Sequence, residues 1–313
     1  MQRRNPTATA FTRRDVLKLL AGAGAWLACG HLPARDAHTA IRRVIPGTSE
    51  SLPVIGLGTA RTFDIASAAD IPKPLREVMR LFLQHGGRVI DSSPMYGTAE
   101  TVVGKLLQQV SGNSRPFLAT KVWTSGREAG IRQMEQSMQR LRADQIDLMQ
   151  VHNLIDTETH LDTLREWKRQ LRVRYIGVTH YLVDAYDELM RAIEAHDIDF
   201  VQFNYNIVTR DAERRLLPLC AERGVAVLIN EPFENASLFS VVDGHTLPAW
   251  AANFDCRSWA QFFLKFIVSH PAVTCTIPAT SDPTHLVDNM RAGAGRLPDA
   301  ATREKMAAYV RQL

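Results

Sequence analysis

A repeated alternation of short apolar runs with longer amphipathic segments constrains this 313-residue chain more than any other feature. Strand patterns fall at 88–92, 117–122, 146–152, 175–179, 200–205, 225–230 and 273–278. Helical patterns at about 74–85, 98–110, 127–142, 160–171, 184–196, 210–223 and 257–270 separate them, and a last helix closes the chain at about 299–312. Upstream, 41–48 and 52–59 read as two short strands around a Gly47-Thr48-Ser49-Glu50 turn, the second leading into a first barrel strand. Repeated βα units imply a parallel sheet. Eight of them without a topological gap favour closure into a (β/α)8, or TIM, barrel, with the N-terminal β-hairpin closing its bottom. The connection from Glu231 to about Asp255 is long for a βα loop, but it contains Phe233, Leu238, Phe239, Trp250 and Phe254 and should pack over the C-terminal face.

Three of the apolar runs end in titratable residues. Val89-Ile90 runs into Asp91, and the Ser92-Ser93-Pro94 break then delivers Tyr96 in a turn. The run 117–120 ends in Lys121, and the run from Ile146 ends in His152. Each alone has an ordinary structural explanation: an Asp before Ser-Pro is turn chemistry, a lone Lys is solvated, a lone His sits satisfied in a core. In a parallel barrel, however, the C-terminal ends of neighbouring strands meet on one face, so all four would converge.

In these settings (Val-Ile-Asp-Ser-Ser-Pro-Met-Tyr-Gly, Ala-Thr-Lys-Val-Trp and Leu-Met-Gln-Val-His-Asn) the chain resembles the aldo-keto reductases from about residue 41 onward. The resemblance implies a catalytic tetrad of Asp91, Tyr96, Lys121 and His152, with Trp123 as an aromatic wall of the substrate pocket. Hydride transfer to a carbonyl leaves negative charge on its oxygen, which needs a proton donor in the same step. Tyr96, with an ordinary pKa of about 10, would serve if the Lys121 ammonium favoured its phenolate. Asp91 would keep Lys121 charged, and His152 would orient the carbonyl.

The resemblance also implies a nicotinamide cofactor, NADPH or NADH. Gln202, in Gln-Phe-Asn204-Tyr205-Asn206, would meet the carboxamide, as would Thr179-His180, where the family has Ser-Asn. Asn230-Glu231-Pro232-Phe233 replaces Tyr-Ser-Pro-Leu, so the aromatic surface that stacks on the nicotinamide is lost and Asn230 offers only hydrogen bonds. The segment from Ile277 to Asn289 is similar to the one that grips the adenosine 2′-phosphate. Ala279 and His285 stand there in place of Lys or Gly and of Arg. Thr280, Ser281 and the start of a helix keep hydrogen-bond donors, and Asp288 and Asn289 keep the adenine-side pair. NADPH is the expected cofactor, with NADH also accommodated.

Residues 1–40 carry six basic against two acidic residues, which accounts for the whole net charge of +4. The body is balanced, so the pI of about 9.0 does not indicate a nucleic-acid surface. Thr12-Arg13-Arg14-Asp15-Val16-Leu17-Lys18, followed by a short apolar stretch to Ala28, resembles a twin-arginine export signal. That implies the twin-arginine machinery as a partner and a periplasmic or otherwise exported protein, with 1–40 as leader and 41–313 as the barrel. The bland alternative is a basic amphipathic helix or arm. Leu27-Ala28-Cys29 is a poor lipoprotein site because of Trp26, and a cut elsewhere before about residue 40 is expected. Cys220, Cys256 and Cys275 show no metal-ligand spacing, and Cys220 and Cys275 suit small core positions. No obvious self-complementary patch argues against a monomer.

Two further readings accompany the reductase. One is an exported barrel whose altered cofactor site makes it a ligand-binding or redox-sensing protein; the other is a lyase or isomerase using Lys121 as a Schiff base.

Overall fold

The computed structural model describes residues 40–110 and 115–313. Strands β1 (Arg42–Val44) and β2 (Ser51–Pro53) pair antiparallel, with Arg43 opposite Leu52. Eight strands then pair in sequence order and all in parallel: β3 (Leu57–Gly58), β4 (Val89–Asp91), β5 (Phe117–Val122), β6 (Ile146–His152), β7 (Val173–His180), β8 (Phe200–Asn204), β9 (Ala226–Asn230) and β10 (Cys275–Thr276). The ring closes between β10 and the first strand. Gly56 N donates to Thr276 O at 2.8 Å, Thr276 N to Val54 O at 2.9 Å and Gly58 N to Pro278 O at 3.1 Å. A (β/α)8 barrel results, as the alternation requires. The leader assigned to 1–40, Cys29 included, lies outside the described residues apart from Ala40.

The helices between these strands are α1 (Lys73–Gln84), α2 (Ala99–Gln109), α3 (Arg127–Leu141), α4 (Thr157–Arg169), α5 (Tyr186–Ala195), α6 (Leu216–Arg223) and α8 (Trp259–Val268), each but α6 within a few residues of its expected span. Two corrections follow. The region expected as one helix over 210–223 is a 3-10 turn at Asp211–Glu213 followed by α6. Between β10 and the closing helix α10 (Ala300–Val310) lies a full helix, α9 (Pro283–Ala292), of which only the start was expected. It begins with Asp282 as N-cap and Pro283 in its first turn, a standard helix opening. The long connection after β9 packs as expected: it contains a short helix, α7 (Ser237–Val241), and Phe233 lies 4.9 Å from Phe239 between ring centroids.

Strand alternation divides the core in two. Outward residues such as Ile90, Leu118, Met149, Ile176, Val201 and Val227 join the helices in one cluster. Inward residues near the strand starts form another: Val89, Phe117, Leu148, Tyr175, Phe200 and Ala226, joined by Ile45 and Leu52 of the hairpin. Phe117, Tyr175 and Phe200 lie 5.5–5.9 Å apart and make an aromatic floor across the lumen. The hairpin therefore closes the N-terminal end. Its turn is held by Glu50, which pairs with Arg88 at 3.2 Å and with Arg174, and accepts from Tyr175 Oη at 3.0 Å.

Glycine is required at the seam. A Cβ on Gly58 would lie 2.6 Å from Ile277 O, a backbone atom that cannot swing aside. Gly58→Ala should therefore destabilise the fold by about 1–3 kcal/mol through overpacking. An unchanged urea midpoint in this variant would show that the seam is looser than described.

Candidate active site

The second core cluster fixes which strand residues face the lumen, and the period of two carries that parity to the C-terminal ends. Phe117 and Ala119 lead to Lys121; Leu148 leads to Gln150 and His152; Tyr175 leads through Gly177 to Thr179. Likewise Val89 leads to Asp91, Phe200 to Gln202 and Asn204, and Leu228 to Asn230. Each strand thus places apolar residues over the floor and polar ones towards the mouth. Register aligns the latter: Lys121 stands opposite Gln150, His152 opposite Thr179, Thr179 opposite Gln202 and Asn204 opposite Asn230.

Lys121 and Asp91 form a buried ion pair, Nζ to Oδ2 at 2.7 Å, and Nζ also donates to Ser92 O at 2.7 Å. Burial, the largest single influence, would lower the Lys121 pKa, but the Asp91 charge, Tyr96, the hydrogen bond to Asp91 and Glu100 together outweigh it and hold the ammonium above its ordinary value. Burial raises the Asp91 carboxyl, and Lys121 opposes that shift. Removing either partner would leave the other buried and uncompensated.

Tyr96 is placed by the turn after β4. Its N–H donates to Ser93 O at 3.0 Å, and its carbonyl accepts from Ala99 N as α2 begins. Gly97, at φ +52°, permits this path; a Cβ there would lie 2.1 Å from Asp64 Oδ1, and Asp64 in turn accepts from Thr98 N. The Tyr96 ring lies 5.2 Å from Lys121 Nζ and 6.4 Å, edge-on, from the His152 ring. Burial raises the Tyr96 pKa, Lys121 lowers it, and Asp91 and Glu231 raise it again. The balance is upward. Lys121 acts in the expected direction, but in this state burial wins over it.

His152 is 8% exposed, and its Nδ1 lies 3.4 Å from Ser93 Oγ. Burial, then Lys121 and His180, lower its pKa from 6.5 to about 3. Trp123 packs 6.4 Å from the His152 ring while remaining 37% exposed.

The structure places the expected cofactor residues unevenly. Thr179 and Gln202 are buried at the strand ends, and Gln202 Nε2 donates to Asp91 Oδ2 at 3.4 Å. Asn230 Oδ1 is a buried acceptor with no hydrogen-bond partner among the described residues. A carboxamide, with two N–H donors and one carbonyl, fits this set of acceptors and donors. His180 lies at the rim, stacked on Tyr181 and accepting from Leu182 N. Pro232 is buried, and Phe233 belongs to the aromatic packing of the long connection with Phe239 and Phe263.

The phosphate end fits less well. Ser281 and His285 are exposed, but the amides of Thr284 and His285 already donate to the Asp282 carboxylate, at 2.6 and 3.2 Å. Thr280 Oγ1 accepts from Asp282 N. Asp288 accepts from Ser258 Oγ and from Gln261 Nε2, so both of its oxygens are engaged with the start of α8, and Asn289 is buried. Sequence reading missed Asp282 as a rival anion and Gln150 as a member of the inner layer. Alternation flags the second, because Gln150 lies two residues before His152 and shares its face.

In the folded chain His152 stays neutral down to about pH 3, whereas an unfolded chain takes up the proton near 6.5. Stability is therefore withdrawn as pH falls from about 6.5 towards 3. By pH 5 the loss is about 2 kcal/mol. His152→Asn should remove that increment, measured as a smaller drop in urea midpoint between pH 7 and pH 5 than wild type shows. Equal drops would place His152 in a more open environment.

Comparison with known proteins finds similar chains. The "Aldo-keto reductase YhdN" of Bacillus subtilis is 28% identical over 190 residues, covering 56% of each chain, so the match spans about half of that relative. "Methylglyoxal reductase YeaE" of Escherichia coli is 27% identical over 256 residues, covering 76% of this chain and 84% of that one. A crystal structure of an aldo/keto reductase from Klebsiella pneumoniae in complex with NADP and acetate superposes with a TM-score of 0.71 at 25% identity, covering 86% of this chain and 95% of that one. The model of the aldo/keto reductase family matches residues 54–307, and the chain belongs to that family of oxidoreductases.

Proposed function

We propose that the protein reduces an aldehyde or ketone with NADPH or NADH, Tyr96 acting as general acid. The observation that carries this reading is the convergence of a buried Lys121–Asp91 pair, a phenol and a neutral imidazole at one end of the barrel. A bound nicotinamide cofactor supplies the hydride. Tyr96 gives its proton to the carbonyl oxygen, and Lys121, kept charged by Asp91, stabilises the phenolate that remains. In the tautomer in which Nδ1 accepts from the Ser93 hydroxyl, Nε2 carries the proton and can donate to the same oxygen. Trp123, with Met95 and Tyr181 exposed on the loops after β4 and β7, suits an uncharged apolar substrate in an open pocket. Asn230, Thr179 and Gln202 suit the carboxamide.

Titrating the protein with NADPH and with NADH by cofactor fluorescence is the first test. Micromolar binding of either supports the reading, and the ratio reports the effect of Ala279, Asp282 and His285. Tyr96→Phe should abolish turnover and leave cofactor affinity within about twofold, since it removes a group needed only as charge develops. The engagement of Asp282 and Asp288 within the protein favours a second reading, a ligand-binding or redox-sensing barrel. It gains support if wild type shows no turnover for Tyr96→Phe to lose.

We further propose export of the protein through the twin-arginine route, supported by Arg13-Arg14 and the apolar stretch after them. No helix among the described residues is long and apolar enough to cross a membrane. Twin-arginine carriage of folded proteins would let the cofactor be loaded before transit. A reporter fused behind residues 1–40 should reach the periplasm and lose that destination with Arg13→Lys and Arg14→Lys together. Retention of unmutated fusions in the cytoplasm would sink the proposal.

A further inference from the structure

Inside the barrel, directly above the aromatic floor, four inward side chains form one hydrogen-bonded chain. Lys121 donates to Asp91 Oδ2 at 2.7 Å, Gln202 Nε2 donates to the same oxygen at 3.4 Å, and Gln150 Nε2 donates to Gln202 Oε1 at 2.9 Å. Gln150 is fully buried, and Gln202 and Asp91 are each 2% exposed. The direction of this chain follows from chemistry. A carboxylate paired with an ammonium accepts only, so the Gln202 amide must turn its nitrogen to Asp91. Its carbonyl then faces Gln150, which must present its own nitrogen. Reversing either amide would set acceptor against acceptor in a buried layer.

We propose that Gln150 is a positioning residue for cofactor recognition: it locks the Gln202 amide so that one N–H goes to Asp91 and the other is presented to the nicotinamide carboxamide. The inference rests on the oxidoreductase reading above and deepens it. The consequence is a physical link between the two halves of the site. The amide that meets the cofactor and the ammonium beside the phenol donate to the same oxygen, Asp91 Oδ2, and Gln150 orients that amide. Without Gln150, Gln202 Oε1 lacks a donor and the amide can turn towards Lys121, giving up its contact with Asp91 and its presented N–H.

A double-mutant cycle tests this by cofactor binding. Gln150→Met keeps the length of the side chain and removes the amide; Gln202→Met removes the group on which Gln150 is said to act. Fluorescence titration with NADPH and NADH would be run on wild type, both single variants and the double variant. Gln150→Met should weaken binding about tenfold in the wild-type background and much less once Gln202 is Met, when only its direct interaction with Asp91 is left to lose. Thermal unfolding, measured alongside, should shift by Gln150→Met in both backgrounds, because packing does not depend on the relay. Equal weakening of binding in both backgrounds, or none in either, overturns the proposal. If wild type binds neither cofactor, the oxidoreductase reading and this inference fall together. Should Gln150→Met not fold, the same cycle with Gln150→Leu decides.

Discussion

A buried ammonium and carboxylate, Lys121 and Asp91, set the terms for everything around them. Neither charge could be held in the lumen alone, because desolvation would drive each to its neutral form. Together they persist with further hydrogen bonds at the ammonium and at Asp91 Oδ2, while Asp91 Oδ1 has no hydrogen-bond partner among the described residues. Ser92 O takes a second ammonium proton, and Gln202 supplies a further N–H to the carboxylate. The strand ends are polar because this pair must be accommodated there. The layer beneath is apolar because Phe117, Tyr175 and Phe200 fill the lumen and keep solvent from reaching the pair from below.

Much of this was legible in the sequence. The alternation of strand and helix patterns gave the barrel and, within a few residues, most of its elements. The four residues that converge were visible as Asp91, Tyr96, Lys121 and His152, each at or just after a strand end. What escaped had local causes. Of the helix from Pro283 to Ala292 only the start was expected: the Asp282 cap and Pro283 mark its opening in the sequence, but not how far it runs. Gln150 escaped because it is uncharged and lies inside its strand, although alternation places it on the same face as His152.

The tuning of Tyr96 was a different kind of miss. Sequence order says that an ammonium will lie near the phenol, and one does. It does not say how far the ring will be buried, nor that Glu231, on a loop after a different strand, adds an opposing charge. The net direction depends on competition between desolvation and charge, and distances in space decide it. The same holds for Asp282: sequence shows an acid near the expected phosphate segment, and only the fold shows that its carboxylate takes the helix amides.

The floor of three aromatic rings carries an electrostatic consequence as well as a steric one. A dipole set over a base of low dielectric, free of reorienting water, is weakly screened from below, and the field lines bend towards the open end of the barrel. The Lys121–Asp91 pair is such a dipole, with Tyr96 beside its positive end. Dissolved ions reach the mouth but not the base, so added salt can screen the approach of a charged molecule while leaving the field at the phenol nearly untouched.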